Sequence, residues 1–285
     1  MQAAFAELPL ALFTTLAPLG AGAFVALALA FFTTSFTDKQ FKRIDRMTCV
    51  PLAVVLVGFV ASFAHLASPL HALSVFAHTG SSPLSNEIVV GSLFVLAAIT
   101  YTVLAVAGKL SGSARKGFAA VVAVLAVAFA LFVGLAYVMD TIASWNTPLV
   151  PVQMVGFSLL GGSALGTLVL GLSQTLDDAL KGAYRYAVLA MALLGAVLGI
   201  VGLCGQVLSV GAMFNALVLG SDLVAAVQVW LAVAVACFVL GALAVVAASR
   251  GRNPIVLTGG AVVVLVVGIF VARLVFYAVQ LSVGL

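Results

Sequence analysis

From Arg185 to Arg250 the sequence reads RYAVLAMALLGAVLGIVGLCGQVLSVGAMFNALVLGSDLVAAVQVWLAVAVACFVLGALAVVAASR. Two long apolar runs fill this stretch, and the one charged side chain between its basic ends is Asp222. A helix needs about 20 apolar residues to cross the hydrocarbon core of a bilayer. Each run is long enough, so the stretch predicts two consecutive membrane-spanning helices whose basic ends lie on the same side of the membrane.

The composition extends this interpretation to the whole chain. Of its 285 residues, 65% are hydrophobic and 7% are charged, and the mean hydropathy is +1.33. Soluble domains carry roughly 25% charged residues, so lipid is the expected solvent here. We predict an all-α membrane protein that forms a single integral membrane domain over residues 1–285. Its eight transmembrane helices cover approximately residues 9–34, 48–68, 87–108, 117–138, 151–173, 185–208, 223–248 and 255–280.

Basic residues follow a strict alternation along the chain. Eleven of the twelve Lys and Arg residues fall in alternate gaps between the apolar runs, namely Lys39, Lys42, Arg43 and Arg46, then Lys109, Arg115 and Lys116, then Lys181 and Arg185, then Arg250 and Arg252. Lys and Arg in short loops stay on the cytoplasmic side. The alternation therefore predicts a multi-pass protein of the cytoplasmic membrane with both termini on the outer, periplasmic side. The net charge of +4 belongs to these loops and does not indicate nucleic-acid binding.

Ionisable residues mark the outer halves of three predicted helices. Arg273 is the one basic residue inside an apolar run, and an ion at that depth usually has a function. All three histidines, His65, His71 and His78, fall near the gap between the second and third runs. His65 is expected about one turn inside the second helix and Glu87 at the start of the third. Arg273 is expected roughly 10 Å below the outer end of the eighth helix, so it can share their layer.

This layer has the chemistry that a quinol-oxidising site requires. A buried Arg needs a carboxylate, and Glu87 or Asp140 is within topological reach. A His beside such a pair exchanges protons near neutral pH. Quinol oxidation needs hydrogen-bond acceptors, a proton exit and an apolar slot for the ring. On depth and chemistry we include Arg273, Ser85, Asn86 and Asp140 in the predicted quinol site. The full set of predicted quinol-binding residues is His65, Ser68, Ser85, Asn86, Glu87, Asp140, Arg273 and Tyr277.

Three other functions stay open at this point. A haem-bearing quinol oxidoreductase subunit would need two axial ligands at matched depth, and His65 is the one His that lies within a predicted helix, although a His/Met pair is possible. A secondary transporter would place its ions near the midplane, which here is nearly uncharged. The third is an anchor without a quinol site. Cys49, Cys204 and Cys237 form no C-x-x-C pair, so we expect no iron–sulfur cluster in this chain.

One segment resembles a known family. It comprises His65-Leu66-Ala67-Ser68-Pro69, followed by Leu84-Ser85-Asn86-Glu87-Ile88 and Gly91-Ser92. This pattern resembles the membrane anchor subunits of dimethyl sulfoxide reductases, which are related to the polysulfide-reductase-type membrane subunits. The stretches around Asp140 and Trp145, and around Arg273 with Phe276-Tyr277, are similar to the corresponding parts of that family.

The resemblance implies a specific activity. Such subunits oxidise menaquinol and pass its electrons to a four-cluster iron–sulfur subunit on the outer face. That subunit serves a molybdenum-bisMGD catalytic subunit, where the terminal substrate is reduced. The resemblance also implies that the chain binds menaquinol as a substrate and holds no haem or other cofactor through covalent bonds or metal ligation. By the same resemblance, His65 and Glu87 are the catalytic residues of the quinol site.

Overall fold

The structure is a computed structural model that describes residues 2–64, 78–251 and 253–283. In this part of the chain the secondary structure is helical apart from two isolated β-bridges. The helices are α1 (Gln2–Ala6), α2 (Leu8–Thr33), α3 (Asp38–Met47), α4 (Cys49–Ala64), α5 (Pro83–Val106), α6 (Gly112–Leu135), α7 (Leu149–Leu172), α8 (Leu176–Lys181), α9 (Tyr184–Val210), α10 (Gly220–Ala248) and α11 (Pro254–Ala278). Eight spans within the described residues are long and apolar enough to cross a membrane. The predicted all-α membrane protein with eight spans is confirmed.

Several helix boundaries differ from the prediction, and two of the differences have a clear local reason. The first basic gap forms the amphipathic helix α3, which begins with a capping box in which Thr37 and Gln40 bind each other's backbone N–H groups. Helix α5 begins one turn earlier than predicted, because Ser82 caps it and Pro83 occupies its first turn. Glu87 therefore lies one turn inside α5 and not at its start.

The eight spans divide into two halves of four with the same contact pattern. The first half contains α2, α4, α5 and α6, and the second contains α7, α9, α10 and α11. In each half the first of these helices packs on the second and on the fourth, and the third packs on the fourth. Helices α2 and α7 contact each other extensively and are mostly buried, whereas the other spans keep much of their surface on the outside of the bundle.

Glycine allows these central helices to approach closely. A Cβ atom on Gly22 would collide with the backbone of Ser158, and one on Gly162 would collide with the backbone of Gly22. The α7–α9 contact is similar, because a Cβ on Gly156 would meet the backbone of Gly199. Small residues at a helix interface let two backbones pack directly, which is a common basis of helix association in lipid.

Polar contacts tie the predicted basic gaps together at one end of the bundle, which we call the basic end. Arg115 and Asp45 form a buried bidentate ion pair, with nitrogen–oxygen distances of 2.9 to 3.2 Å. Arg43 donates from Nη1 to Oε1 of Gln174 at 2.8 Å. The opposite end, which we call the acidic end, carries the first residues of α2, α5, α7 and α10 and the last residues of α11.

Candidate functional site

Arg273 lies near the acidic end of α11 and is completely buried. Its Nε atom donates to the hydroxyl of Thr14 at 2.8 Å, and its Nη2 atom donates to the hydroxyl of Tyr277 at 3.2 Å. The guanidinium carbon also lies over three aromatic rings, 4.0 Å from the centroid of Phe276, 4.9 Å from that of Tyr137 and 5.0 Å from that of Tyr277. The guanidinium is thus held from several sides.

All of these contacts are electrically neutral. Arg273 forms no ion pair with any carboxylate that the structure describes, neither Glu87 nor Asp140. Its Nη1 atom is buried and has no hydrogen-bond partner among the described residues. A guanidinium does not deprotonate in proteins. The site therefore contains a full positive charge with one donor group still available.

Glu87 is the buried carboxyl of the same region. It lies one turn inside α5 and is 8% exposed. It is close enough for its charge to interact with both Arg273 and Tyr137, although it is not in direct ionic contact with Arg273. The structure thus brings Glu87 and Arg273 into one buried layer.

Tyr137 and Tyr277 share a hydrogen bond of 2.5 Å between their hydroxyl groups. Loss of hydration, with smaller effects from neighbouring Tyr277 and Glu87, raises the pKa of the Tyr137 hydroxyl well above its usual value, so this group stays neutral. Trp145 stacks on Phe276 with a centroid separation of 4.9 Å and donates its indole N–H to the carbonyl of that residue. These aromatic side chains pack against one another beside the guanidinium.

Thr14 and Tyr137 are site residues that the sequence analysis does not predict. Thr14 donates its own hydroxyl hydrogen to the carbonyl of Leu10, which leaves its oxygen free to accept from Arg273. Pro18 lies inside α2 and has no N–H, so it cannot form the usual helical bond to the carbonyl of Thr14. The sequence signal is Thr14 placed four residues before Pro18 in an apolar run. At such a position a hydroxyl group and an unpaired backbone carbonyl lie together, which could have indicated a polar site.

The connection between α6 and α7, which contains Tyr137, is held by buried polar groups. Gln206 of α9 donates to the carbonyl of Ser144 at 3.0 Å and accepts from the amide of Gln153 at 2.6 Å. The hydroxyl of Ser144 accepts from the backbone N–H of Leu281 at 2.8 Å. These bonds attach the connection directly to α9 and to the segment after α11, and through Gln206 to α7.

Three further predicted site residues have other surroundings. Asn86 accepts from the backbone N–H of Gly80 at 2.7 Å and closes the turn before α5. Ser85 is buried in the first turn of α5 and donates its backbone N–H to Ser82. Asp140 is exposed and accepts from the side-chain amide of Asn146 at 2.8 Å, so it lies at the surface and not in the buried layer.

His65, Ser68 and His71 lie outside the described residues, so the position of His65 relative to Glu87 and Arg273 stays a prediction. His78 is described and exposed, and its carbonyl accepts from the backbone N–H groups of Ser81 and Ser82. Within the described ranges, no group of three or more His, Cys, Asp or Glu side chains is placed to hold a metal ion.

Comparison with known proteins identifies the family. The family of the DMSO reductase anchor subunit (DmsC) matches residues 1–279. The C subunit of the anaerobic dimethyl sulfoxide reductase of Escherichia coli is 31% identical over 198 residues, which is 69% of each protein. The protein of the same name from Haemophilus influenzae is 31% identical over 170 residues, 60% of this protein and 61% of that one. The YnfH subunit of an anaerobic dimethyl sulfoxide reductase of Escherichia coli is 29% identical over 284 residues, 98% of this protein and 96% of that one. The protein therefore belongs to the family of DMSO reductase anchor subunits, as the segment around Glu87 predicts.

Proposed function

We propose that this anchor subunit oxidises menaquinol at the acidic end of the bundle and passes the electrons to an iron–sulfur subunit of a molybdenum-dependent reductase. The observation that carries this proposal is that Arg273 and Glu87, two ionisable side chains, are both buried near the acidic end within the membrane-spanning helices α11 and α5. Ionisable groups within a membrane-spanning bundle are costly and mark functional sites. An anchor without chemistry of its own would need neither group.

The proposed site matches the chemistry of a quinol. The substrate has an apolar double ring and tail with two hydroxyl groups, and it enters from lipid. His65 accepts a hydrogen bond from one hydroxyl and takes its proton, and Glu87 takes or relays a proton towards water. Arg273 stabilises negative charge in this layer. Tyr277, Ser85 and Ser68 line the slot. Asn86 shapes the turn beside it, and Asp140 receives protons at the surface.

The sidedness of the reaction follows from the basic loops. Because short basic loops stay in the cytoplasm, we place the acidic end and both termini on the outer side of the cytoplasmic membrane. Each oxidation then releases two protons outside and delivers two electrons to a partner docked there. That partner is a four-cluster iron–sulfur subunit, which serves a molybdenum-bisMGD catalytic subunit. The relatives named as components of anaerobic dimethyl sulfoxide reductases support this assembly.

The test uses the assembled complex in its native membranes. His65→Ala and Glu87→Gln are each expected to lower menaquinol-dependent substrate reduction at least tenfold. Reduction driven by a viologen dye, which delivers electrons directly to the partner subunits, is expected to stay unchanged. Asp222→Asn is the matched control, because Asp222 is an exposed acid at the same end. If both site variants retain the full menaquinol-dependent rate, quinol oxidation takes place elsewhere.

A second measurement addresses cofactors. We propose that the chain holds no haem, so the purified subunit is expected to show no Soret absorption. A Soret band that copurifies in stoichiometric amount with the subunit would contradict this part of the proposal and would favour a haem-bearing subunit.

A further inference from the structure

The charge of Arg273 is not balanced by any direct partner within the described residues. Its Nε and Nη2 atoms bond to two neutral hydroxyl groups, and its guanidinium lies over aromatic rings. The Nη1 atom is buried without a hydrogen-bond partner in the same part of the protein. An unsatisfied charged donor away from water is unfavourable, so a structure that retains one gains from a ligand that carries negative charge.

We propose that Nη1 of Arg273 binds an ionised oxygen of the aromatic substrate, so that the site recognises the anionic form of the quinol. This inference rests on the proposed function, and it adds the charge state in which the substrate is held. It also separates the roles of the two buried ionisable groups. Glu87 acts on the proton, and Arg273 acts on the oxygen that has lost the proton.

The geometry suits this role because the guanidinium cannot turn away. Two of its nitrogens are held at 2.8 and 3.2 Å, and Phe276 packs 4.0 Å from its central carbon. A donor that is fixed in advance stabilises developing charge without reorganising during the reaction. The aromatic rings around it exclude water, which strengthens its interaction with an anion.

Arg273 and Glu87 are not in direct ionic contact, so Nη1 of Arg273 stays available to a substrate oxygen. If the Glu87 carboxylate bonded directly to Nη1, it would occupy the donor and neutralise the charge. The two groups instead lie close enough to interact without direct contact. A substrate hydroxyl located between them can transfer its proton to Glu87 and leave its oxygen on Nη1. No electron moves in this step. The later loss of two electrons to the iron–sulfur partner and of the second proton completes the conversion of quinol to quinone.

Tyr137 is the positioning residue in this arrangement. Its hydroxyl bonds to that of Tyr277, which in turn accepts from Nη2 of Arg273, and its ring lies beneath the guanidinium. The titratable and charged groups that face Arg273 among the described residues are Glu87 from α5, Tyr137 from the α6–α7 connection and Tyr277 from its own helix. Both tyrosines keep the fork of the guanidinium in place without competing for its charge.

The experiment compares two probes on the assembled complex in lipid nanodiscs. One probe is an alkylated 4-hydroxyquinoline N-oxide at a pH where its oxygen is ionised. The other is an uncharged menaquinone analogue with a tail of the same length. Arg273→Gln is expected to weaken binding of the ionised probe about tenfold or more, since a charge-assisted hydrogen bond is lost, and to change binding of the uncharged probe less than about threefold. Arg185→Gln is the control, because its Nε is also buried without a hydrogen-bond partner among the described residues but lies at the basic end.

The possible outcomes are distinct. Equal weakening of both probes by Arg273→Gln would show that Arg273 only shapes the pocket, and would overturn the inference while leaving the proposed quinol site intact. Failure of the wild-type complex to bind either probe would overturn the proposed function itself. If Arg273→Gln does not assemble, Tyr137→Phe replaces it. That variant is expected to weaken binding of the ionised probe about threefold and to spare the uncharged one, and an unchanged affinity for the ionised probe would contradict the inference.

Discussion

The Nε atom of Arg273 donates a hydrogen bond of 2.8 Å to the hydroxyl of Thr14, which is 259 positions away in the sequence. This bond joins the first spanning helix, α2, to the last, α11. The buried layer around Arg273 therefore depends on the complete bundle and not on any one half of it. Variants far from the layer are expected to change the stability of the bundle. Variants within the layer are expected to change substrate binding.

Substitution of Thr14 tests the support of the guanidinium. Thr14→Val keeps the shape of the side chain but removes the acceptor of Nε, so a buried charged donor loses its partner. We expect a loss of about 1–3 kcal/mol in the free energy of unfolding, measured as a lower thermal midpoint of the purified subunit in detergent. Thr14→Ser keeps the hydroxyl and is expected to retain most of the stability. Equal midpoints for the Val and Ser variants would show that the hydroxyl does not support Arg273.

The contact between α2 and α7 makes a prediction about glycine. Gly162→Ala places a methyl group against the backbone of Gly22 and is expected to destabilise the bundle by about 1–3 kcal/mol through overpacking. Gly260→Ala is the matched control, because a Cβ atom there meets nothing within 4 Å. We expect the control to unfold at or slightly above the wild-type temperature. Similar midpoints for the two variants would contradict the close approach of α2 and α7.

The ion pair at the basic end is expected to contribute to stability without affecting substrate binding. Asp45→Leu leaves the buried guanidinium of Arg115 without its partner and is expected to cost about 3–5 kcal/mol. The double variant Asp45→Leu/Arg115→Met removes both charges and is expected to recover most of that loss. Binding of the uncharged menaquinone analogue is expected to stay unchanged in the double variant. Weaker binding of the analogue would show that the Asp45–Arg115 pair also affects the structure of the acidic end.

The orientation of the bundle can be measured with single cysteines. After Cys49, Cys204 and Cys237 are replaced by Ala, Asp222→Cys is expected to react with a membrane-impermeant maleimide on intact cells. Lys109→Cys is expected to react after the cells are opened and not before, because it lies in a basic connection. Both positions are exposed, so differences in labelling report the side of the membrane. The reverse labelling pattern would refute the proposed sidedness.

The spanning helices are predictable from sequence because length and hydropathy determine whether a segment can cross lipid. The boundaries follow less directly. Helix α3 has a polar face and low hydropathy, so its sequence is typical of a connection until its capping box is recognised. The early start of α5 is difficult to predict for a similar reason, because Ser82 and Pro83 are typical of the end of a loop, although here they also form a cap and a first turn.

The ionisable members of the candidate site are predictable from sequence, and the neutral ones are not. Arg273 and Glu87 are recognisable because charge is rare in an apolar run. A threonine such as Thr14 is common in such helices, where its hydroxyl usually bonds only to its own helix. Whether it also accepts from another helix depends on how the bundle packs. Tyr137 lies in a connection, and its contacts with Phe276 and Tyr277 join segments that are distant in sequence.

The burial of α2 has a consequence for biosynthesis. This helix precedes the other spans in the sequence, yet most of its surface is covered in the final bundle by segments translated later. Its Gly22 face matches Gly162, which the ribosome reaches only after four spans have been made. Lipid must therefore cover that face during synthesis and then leave it when α7 arrives. The order of translation thus makes the packing of α2 on α7 a late event in folding. A delay in the synthesis of α7 would leave the Gly22 face of α2 free to pack against a wrong helix.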